Sequence, residues 1–271
     1  MYKVLALDLD GTLVNSKKEL TKRVKDALDE LRDNGNHVVL ASGRPLAGIL
    51  PIAKKLEMEK RGGYILSFNG GCVTDCATMQ QIHSRNINKE YISPLLEALS
   101  YEECVPLSYK YGKIISERDD EKYLIEEANI NHLEILKVKS LKDELLASDH
   151  ETQKILCTAD PENAARITYE LAEMFHGRLN IFRSEPYFIE IVPIGTDKGS
   201  ALDSLMKSMG YTRENLVACG DGLNDLTMIN YAGLGVCMAN GCEELKNNAD
   251  YICPSNDEDG VASVVEKFFL C

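Results

Sequence analysis

The sequence predicts an α/β protein, a doubly wound parallel sheet interrupted by an inserted α+β segment. Three observations carry this. Short apolar runs alternate with helix-period stretches up to the turn Asn69-Gly70-Gly71. That rhythm breaks in the middle of the chain and returns near the C-terminal third. Small and charged polar residues collect where several apolar runs end. Strand and helix in strict alternation is the pattern of parallel strands joined by crossover helices.

The elements follow in order. KVLAL (3–7) is a short buried strand. Val24, Ala27, Leu28 and Leu31 fall at i, i+3, i+4 and i+7, one face of a helix that Gly35 stops. HVVLA (37–41) is β-branched and reads as the second strand. A helix opens at Pro45, a residue suited to a first helical turn. YILSF (64–68) is the third strand, and residues 72–82 read as a hairpin.

Beyond residue 84 the texture changes. A helix near 88–100 precedes two strands that flank Tyr111-Gly112. QKILCTA (153–159) and AARITYELAEMF (164–175) read as strand then helix. This segment is large enough to be a domain. The α/β rhythm then returns with YFIEIVP (187–193) as a strand and a helix from Lys198. NLVACGD (215–221) is a strand and residues 223–233 a helix. LGVCMA and DYICP are short strands, and DGVASVVEKFFL is a closing helix. The expected division is a core of residues 1–83 and 188–271 with an insert at 84–187.

The bulk numbers narrow the function classes. The 271 residues suit two domains, and a hydrophobic content of 44% suits ordinary globular cores. A formal net charge of −13, from 30 basic and 43 acidic residues, lacks the positive field that a phosphate backbone needs. No nucleic-acid partner is therefore expected. A small phosphorylated ligand needs only a local cationic pocket. No run of eighteen apolar residues and no charged leader with an apolar core is read, so neither a membrane span nor an export signal is expected. Nine scattered cysteines without zinc spacing point to free thiols in the cytoplasm. Nothing in the sequence sets an oligomeric state.

The chemistry lies at strand ends, where open parallel sheets bind ligands. Asp8-Leu9-Asp10-Gly11-Thr12 follows the first strand and Ser42-Gly43-Arg44 the second. Lys198-Gly199 opens a helix. Gly220-Asp221-Gly222-Leu223-Asn224-Asp225 ends a later strand. Side chains two apart in a strand share a side, so Asp8 and Asp10 are expected to project together. Such a pair is costly unless a cation or a proton intervenes. A calcium loop does not fit, because a strand rather than a helix precedes Asp8. Lys198 in a first helical turn opposes the helix dipole; alone it still reads as a solvated surface lysine, and its weight comes from standing with the other three stretches. Together these stretches make an acidic floor flanked by a hydroxyl and a cation.

The ordered set DLDGTL, ASGR, DKG and GDGLND resembles the haloacid dehalogenase (HAD) superfamily of phosphohydrolases. The insert after the second motif, the FNGG turn and YFIEIVP followed by a Lys-Gly pair resemble the Cof-type branch, which carries an inserted α/β cap. The resemblance implies a doubly wound, Rossmann-like HAD core and a Mg²⁺-dependent phosphatase for small phosphorylated metabolites, such as sugar phosphates or a flavin or pyridoxal phosphate. It implies Asp8 as nucleophile and Asp10 as general acid and base. Ser42, Gly43, Lys198 and Asn224 would hold the phosphate. The metal would be held by Asp8, the Asp10 carbonyl and Asp221, with Asp225 as a direct or indirect partner. A phosphomutase on the same fold and a non-catalytic sensor of phosphorylated metabolites are the alternatives. Tyr109, Tyr111, Arg118 and Arg183 in the insert and Asn69 in the core are further candidates for ligand contact, though structural or solvated roles suit the first four better.

Overall fold

A computed structural model describes residues 1–270. Strands β1 (Val4–Leu7), β2 (His37–Ala41) and β3 (Tyr64–Ser67) alternate with helices α1 (Lys22–Asp33), α2 (Leu46–Lys55) and the single turn α3 (Met58–Arg61). β4 (Cys72–Asp75) and β5 (Gln81–Ser84) form the hairpin. There follow α4 (Lys89–Ser100), β6 (Val105–Lys110), β7 (Lys113–Ser116), α5 (Lys122–Asn131) and β8 (Ile135–Lys137). Next come α6 (Leu141–Leu146), β9 (Ile155–Thr158), α7 (Pro161–Met174), β10 (Leu179–Glu185) and β11 (Phe188–Pro193). The chain continues through α8 (Lys198–Ser208), β12 (Leu216–Gly220), α9 (Leu226–Tyr231) and β13 (Leu234–Met238). It then runs through α10 (Glu243–Asn248), β14 (Tyr251–Cys253) and α11 (Gly260–Phe268).

Two compact units result. The first takes residues 1–43, 49–83 and the chain from Asp197 onward; the second takes 44–48 and 84–196. In the first, an eight-stranded sheet has the order β14-β13-β12-β1-β2-β3-β4-β5. Its first six strands are parallel and β4 is antiparallel to β3. Val4, Ala6, Val39 and Leu66 pack against Leu202, Leu205 and Met228 of α8 and α9. Leu5, Leu7, Val38 and Leu40, on the opposite face, are also fully buried. Burial on both faces explains why these strands read as continuous apolar runs. Thr21 caps α1 by accepting from the Val24 N–H at 3.2 Å, and Val24, Ala27, Leu28 and Leu31 form its buried face.

The second unit is built on a six-stranded sheet in the order β10-β11-β9-β6-β7-β8, antiparallel except for the β7–β8 pair. One apolar cluster joins β9 and β11 to α4, α6 and α7. A second joins β6 to α5 through Leu107, Leu124, Ala128 and Leu156. β11 corrects the sequence reading, which assigned residues from 188 onward to the core. It pairs antiparallel with β9 and β10 and lies in the second unit. Its six residues are all buried, so its pattern matches a core parallel strand, and only the pairing partner distinguishes the two.

The second unit also buries an ion pair. Lys154 Nζ stands 3.2 Å from Glu190, both nearly solvent-free, and Ser184 Oγ donates to Glu190 Oε1 at 3.0 Å. Removing one member of such a pair leaves the other buried without its counter-charge. Lys154→Met is expected to lower the unfolding free energy by about 3–5 kcal/mol in urea denaturation. An unchanged midpoint would show that Glu190 does not depend on Lys154.

Candidate active site at the strand ends

β1 lies between β12 and β2. From β1 the chain moves to β2 and β3 on one side, and from β12 to β13 and β14 on the other. The order reverses between β1 and β12, so the carboxyl ends of these two strands flank the switch point where ligands bind in open sheets.

β1 stops at Leu7. The Asp8 N–H still donates to the Cys219 carbonyl of β12 at 3.0 Å, and then the chain turns, with the Leu13 N–H donating to the carbonyls of Asp8 and Leu9. The chain leaves the strand here, so the places of Asp8 and Asp10 are set by this turn as well as by strand alternation. The Asp10 carboxylate accepts from Lys18 Nζ at 2.7 Å, whereas Asp8 faces residues brought in from the other motifs. Gly11 has a φ of +79°, and any Cβ there would collide with the Asp221 carboxylate. The first motif thus closes directly onto the fourth. Thr12, buried, fastens the two by donating from Oγ1 to Asp221 Oδ1 at 2.9 Å. Sequence reasoning quoted Thr12 within its motif but gave it no role; a Thr placed beside the turn glycine was the available signal.

Lys198 is the centre of the arrangement. It is the first residue of α8, which Asp197 caps by accepting from the Ser200 N–H at 2.8 Å. Its side chain is 0% exposed and its Nζ donates to Asp8 Oδ1 and Asp225 Oδ1, each at 2.6 Å. Burial alone would push this ammonium down. The charges of Asp225 and Asp8 and the hydrogen bonds to both outweigh it, and hold Lys198 above its ordinary value. Asp225 uses its other oxygen, Oδ2, to accept from the N–H groups of Asp221 and Gly222 at 2.9 Å each.

The acids respond to the same burial. Asp8 is pushed up to about 8, chiefly by desolvation, with Asp225 and Asp221 adding repulsion against the pull of Lys198. Desolvation also raises Asp221 to about 6, against the hydrogen bond from Thr12. Asp8, Asp221 and Asp225 each offer a carboxylate oxygen within 4.8 Å of the others. Three carboxylates against one ammonium leave two negative charges uncompensated when all are ionised. A hard, all-oxygen donor set with that deficit fits a small divalent cation.

The remaining residues named from the sequence divide. Ser42, buried, ends β2; its N–H donates to the Leu66 carbonyl and its own carbonyl accepts from the Asn69 N–H, each at 2.9 Å. Asn224 lies on the exposed turn beside Asp225, and its Nδ2 donates to Asn69 Oδ1 at 3.2 Å. Gly43 lies beside the same Asn69 amide. In the second unit, Tyr109 donates to Glu127 at 2.6 Å and Tyr111 to Asp149 at 3.1 Å, while Arg118 pairs with Asp120 at 3.0 Å. No helix among the described residues is long and apolar enough to cross a membrane.

Comparison with known proteins agrees with this geometry. The family model for haloacid dehalogenase-like hydrolases matches residues 5–265. A crystal structure of a haloacid dehalogenase-like hydrolase from Bacteroides thetaiotaomicron is 40% identical, with a TM-score of 0.93, over 99% of this chain and 100% of that one. The crystal structure of TM0651 from Thermotoga maritima is 30% identical, with a TM-score of 0.89, over 99% and 98%. A Bacillus subtilis (strain 168) protein, 5-amino-6-(5-phospho-D-ribitylamino)uracil phosphatase YcsE, is 28% identical over 99% of this chain and 96% of its own length. The chain belongs to the haloacid dehalogenase-like hydrolase family, in its Cof-type branch, and is a phosphoric monoester hydrolase.

Proposed function

We propose that the protein is a Mg²⁺-dependent phosphatase of small phosphorylated metabolites that works through a phosphorylated Asp8. The observation that carries the reading is the convergence of Asp8, Asp221 and Asp225 around the fully buried Lys198 at the switch point. Asp8 and Asp221 would hold the metal, together with the main-chain carbonyl of Asp10. Asp225, whose two oxygens already accept hydrogen bonds, would chiefly order Lys198 and the 221–222 backbone. Bound Mg²⁺ supplies positive charge that lets a phosphoryl dianion approach a carboxylate nucleophile.

In the first step an Asp8 oxygen attacks phosphorus, the bond to the leaving oxygen breaks, and Asp10 gives that oxygen its proton. In the second, water attacks phosphorus, Asp10 takes the water proton, and the bond from phosphorus to Asp8 breaks to release inorganic phosphate. Lys198 and the Ser42 hydroxyl hold phosphoryl oxygens, with the Gly43 backbone and the Asn224 amide at the same end. Asp10 must leave Lys18 to act. That ion pair is solvent-exposed, with side-chain exposures of 35% and 63%, so releasing it costs on the order of 1 kcal/mol or less. We assign the chemistry to the first unit and the choice of substrate to the second. The free thiols of the eight described cysteines suit a reducing cytoplasm.

The test is phosphate release across a panel of phosphorylated metabolites, with the intact chain and with residues 84–196 replaced by a Gly/Ser linker. With Mg²⁺ the intact chain should turn over and rank the panel. Excess chelator should abolish release and added Mg²⁺ restore it, whereas Ca²⁺ should restore it poorly because its looser coordination misplaces the nucleophile. The linker chain should keep Mg²⁺-dependent hydrolysis of a small aryl phosphate and lose the ranking. Full activity in chelator would refute the metal assignment, and an unchanged ranking would refute the division between units.

A further inference from the structure

We propose that Asn69, in the turn after β3, is a positioning residue that sets the side-chain amide of Asn224 for phosphate. The inference rests on the phosphatase reading above. Phe68 and Asn69 both have a φ of 53°, in the left-handed region that non-glycine residues seldom occupy. Two such residues in succession persist only where their surroundings hold them.

Those surroundings are the other motifs of the site. The Asn69 N–H donates to the Ser42 carbonyl at 2.9 Å, which ties the turn to the end of β2. Asn224 Nδ2 donates to Asn69 Oδ1 at 3.2 Å across 155 residues of sequence. A Cβ on Gly43 would stand 3.1 Å from Asn69 Nδ2, so glycine at 43 leaves the amide its space. Gly70, the next residue of the turn, lies against the Asp197 carbonyl and Ala201 at the start of the helix that Lys198 opens. Residues 69–70 therefore touch three of the four strand-end motifs.

The consequence falls on Asn224. It is exposed, and an exposed amide samples several rotamers that must be frozen when phosphate binds. Asn69 Oδ1 takes one of its N–H bonds in advance. The amide is held with its second N–H still available to a phosphoryl oxygen, so binding loses less freedom.

A competing account is that asparagine stands here only because it tolerates the left-handed backbone better than other non-glycine residues. Asn69→Gly separates the two, since glycine adopts that backbone freely and carries no amide. The probe is inorganic phosphate, with its Kd measured by calorimetry in Mg²⁺, alongside kcat and KM for a small aryl phosphate and the thermal midpoint. Asn69→Gly, Asn224→Ala and the double variant are compared with wild type. Asn69→Gly should melt near wild type yet bind phosphate about tenfold more weakly, with the kinetic loss mainly in KM. The double variant should be no worse than Asn224→Ala alone, because Asn69 acts through Asn224. Wild-type phosphate affinity in Asn69→Gly, or losses that multiply in the double variant, would overturn the proposal. A wild type that binds phosphate but releases none from any ester would overturn the phosphatase reading and leave the Asn69 comparison decisive on binding. A wild type that binds no phosphate would overturn both.

Discussion

On the covalent mechanism proposed above, Asp8→Asn is expected to reduce phosphate release to background, a loss on the order of 10⁴-fold or more in kcat, because the amide cannot form the phosphorylated intermediate. The same substitution should not destabilise the protein. Asp8 is 6% exposed and stands with Asp221 and Asp225 around a single ammonium. Asparagine keeps the shape, can still accept from Lys198 and cannot take on the negative charge that burial disfavours at this position. Without added metal, the thermal midpoint should therefore hold or rise while activity disappears. That opposition is the signature of a residue kept for chemistry at some cost in stability. Near wild-type phosphate release from folded Asp8→Asn protein would refute the covalent mechanism.

Lys198→Met should lose both activity and stability. Methionine fills much of the lysine's volume but brings no charge into a position with no solvent exposure. Asp8 and Asp225 would then face each other without their shared ammonium at 2.6 Å. Breaking a buried ion pair in this way costs about 3–5 kcal/mol. If Lys198 holds phosphoryl oxygens as proposed, its loss should also lower kcat/KM by a factor of about 10²–10³. Urea denaturation and steady-state kinetics on one preparation test both. The Asp8→Asn background provides the control: Lys198→Met should destabilise less there, because one of the two stranded carboxylates is gone. Wild-type stability in Lys198→Met would mean that the carboxylates do not depend on the lysine.

The parallel strands of the first unit were legible in the sequence because both faces of that sheet are buried. A strand so placed must be apolar throughout, and VLAL, HVVLA and YILS are. The helix α1 was legible because a half-buried helix imposes its period on Val24, Ala27, Leu28 and Leu31. The polar residues at the strand ends stood out because nothing in a turn alone requires a lysine where the helix dipole disfavours one. Pattern failed where partners matter. FIEIVP reads as a strand from its composition, but hydrogen bonds to β9 and β10 assign it to the second sheet, and no local property of six buried residues encodes that choice. Which acids converge is set elsewhere: Asp8 meets Asp221 and Asp225, two acids of one turn more than 200 positions further along the chain. Thr12 on Asp221 and Asn69 on Asn224 are contacts across 209 and 155 residues. Local propensity and burial are written into neighbouring residues, whereas such pairings exist only once chain closure has brought distant segments together.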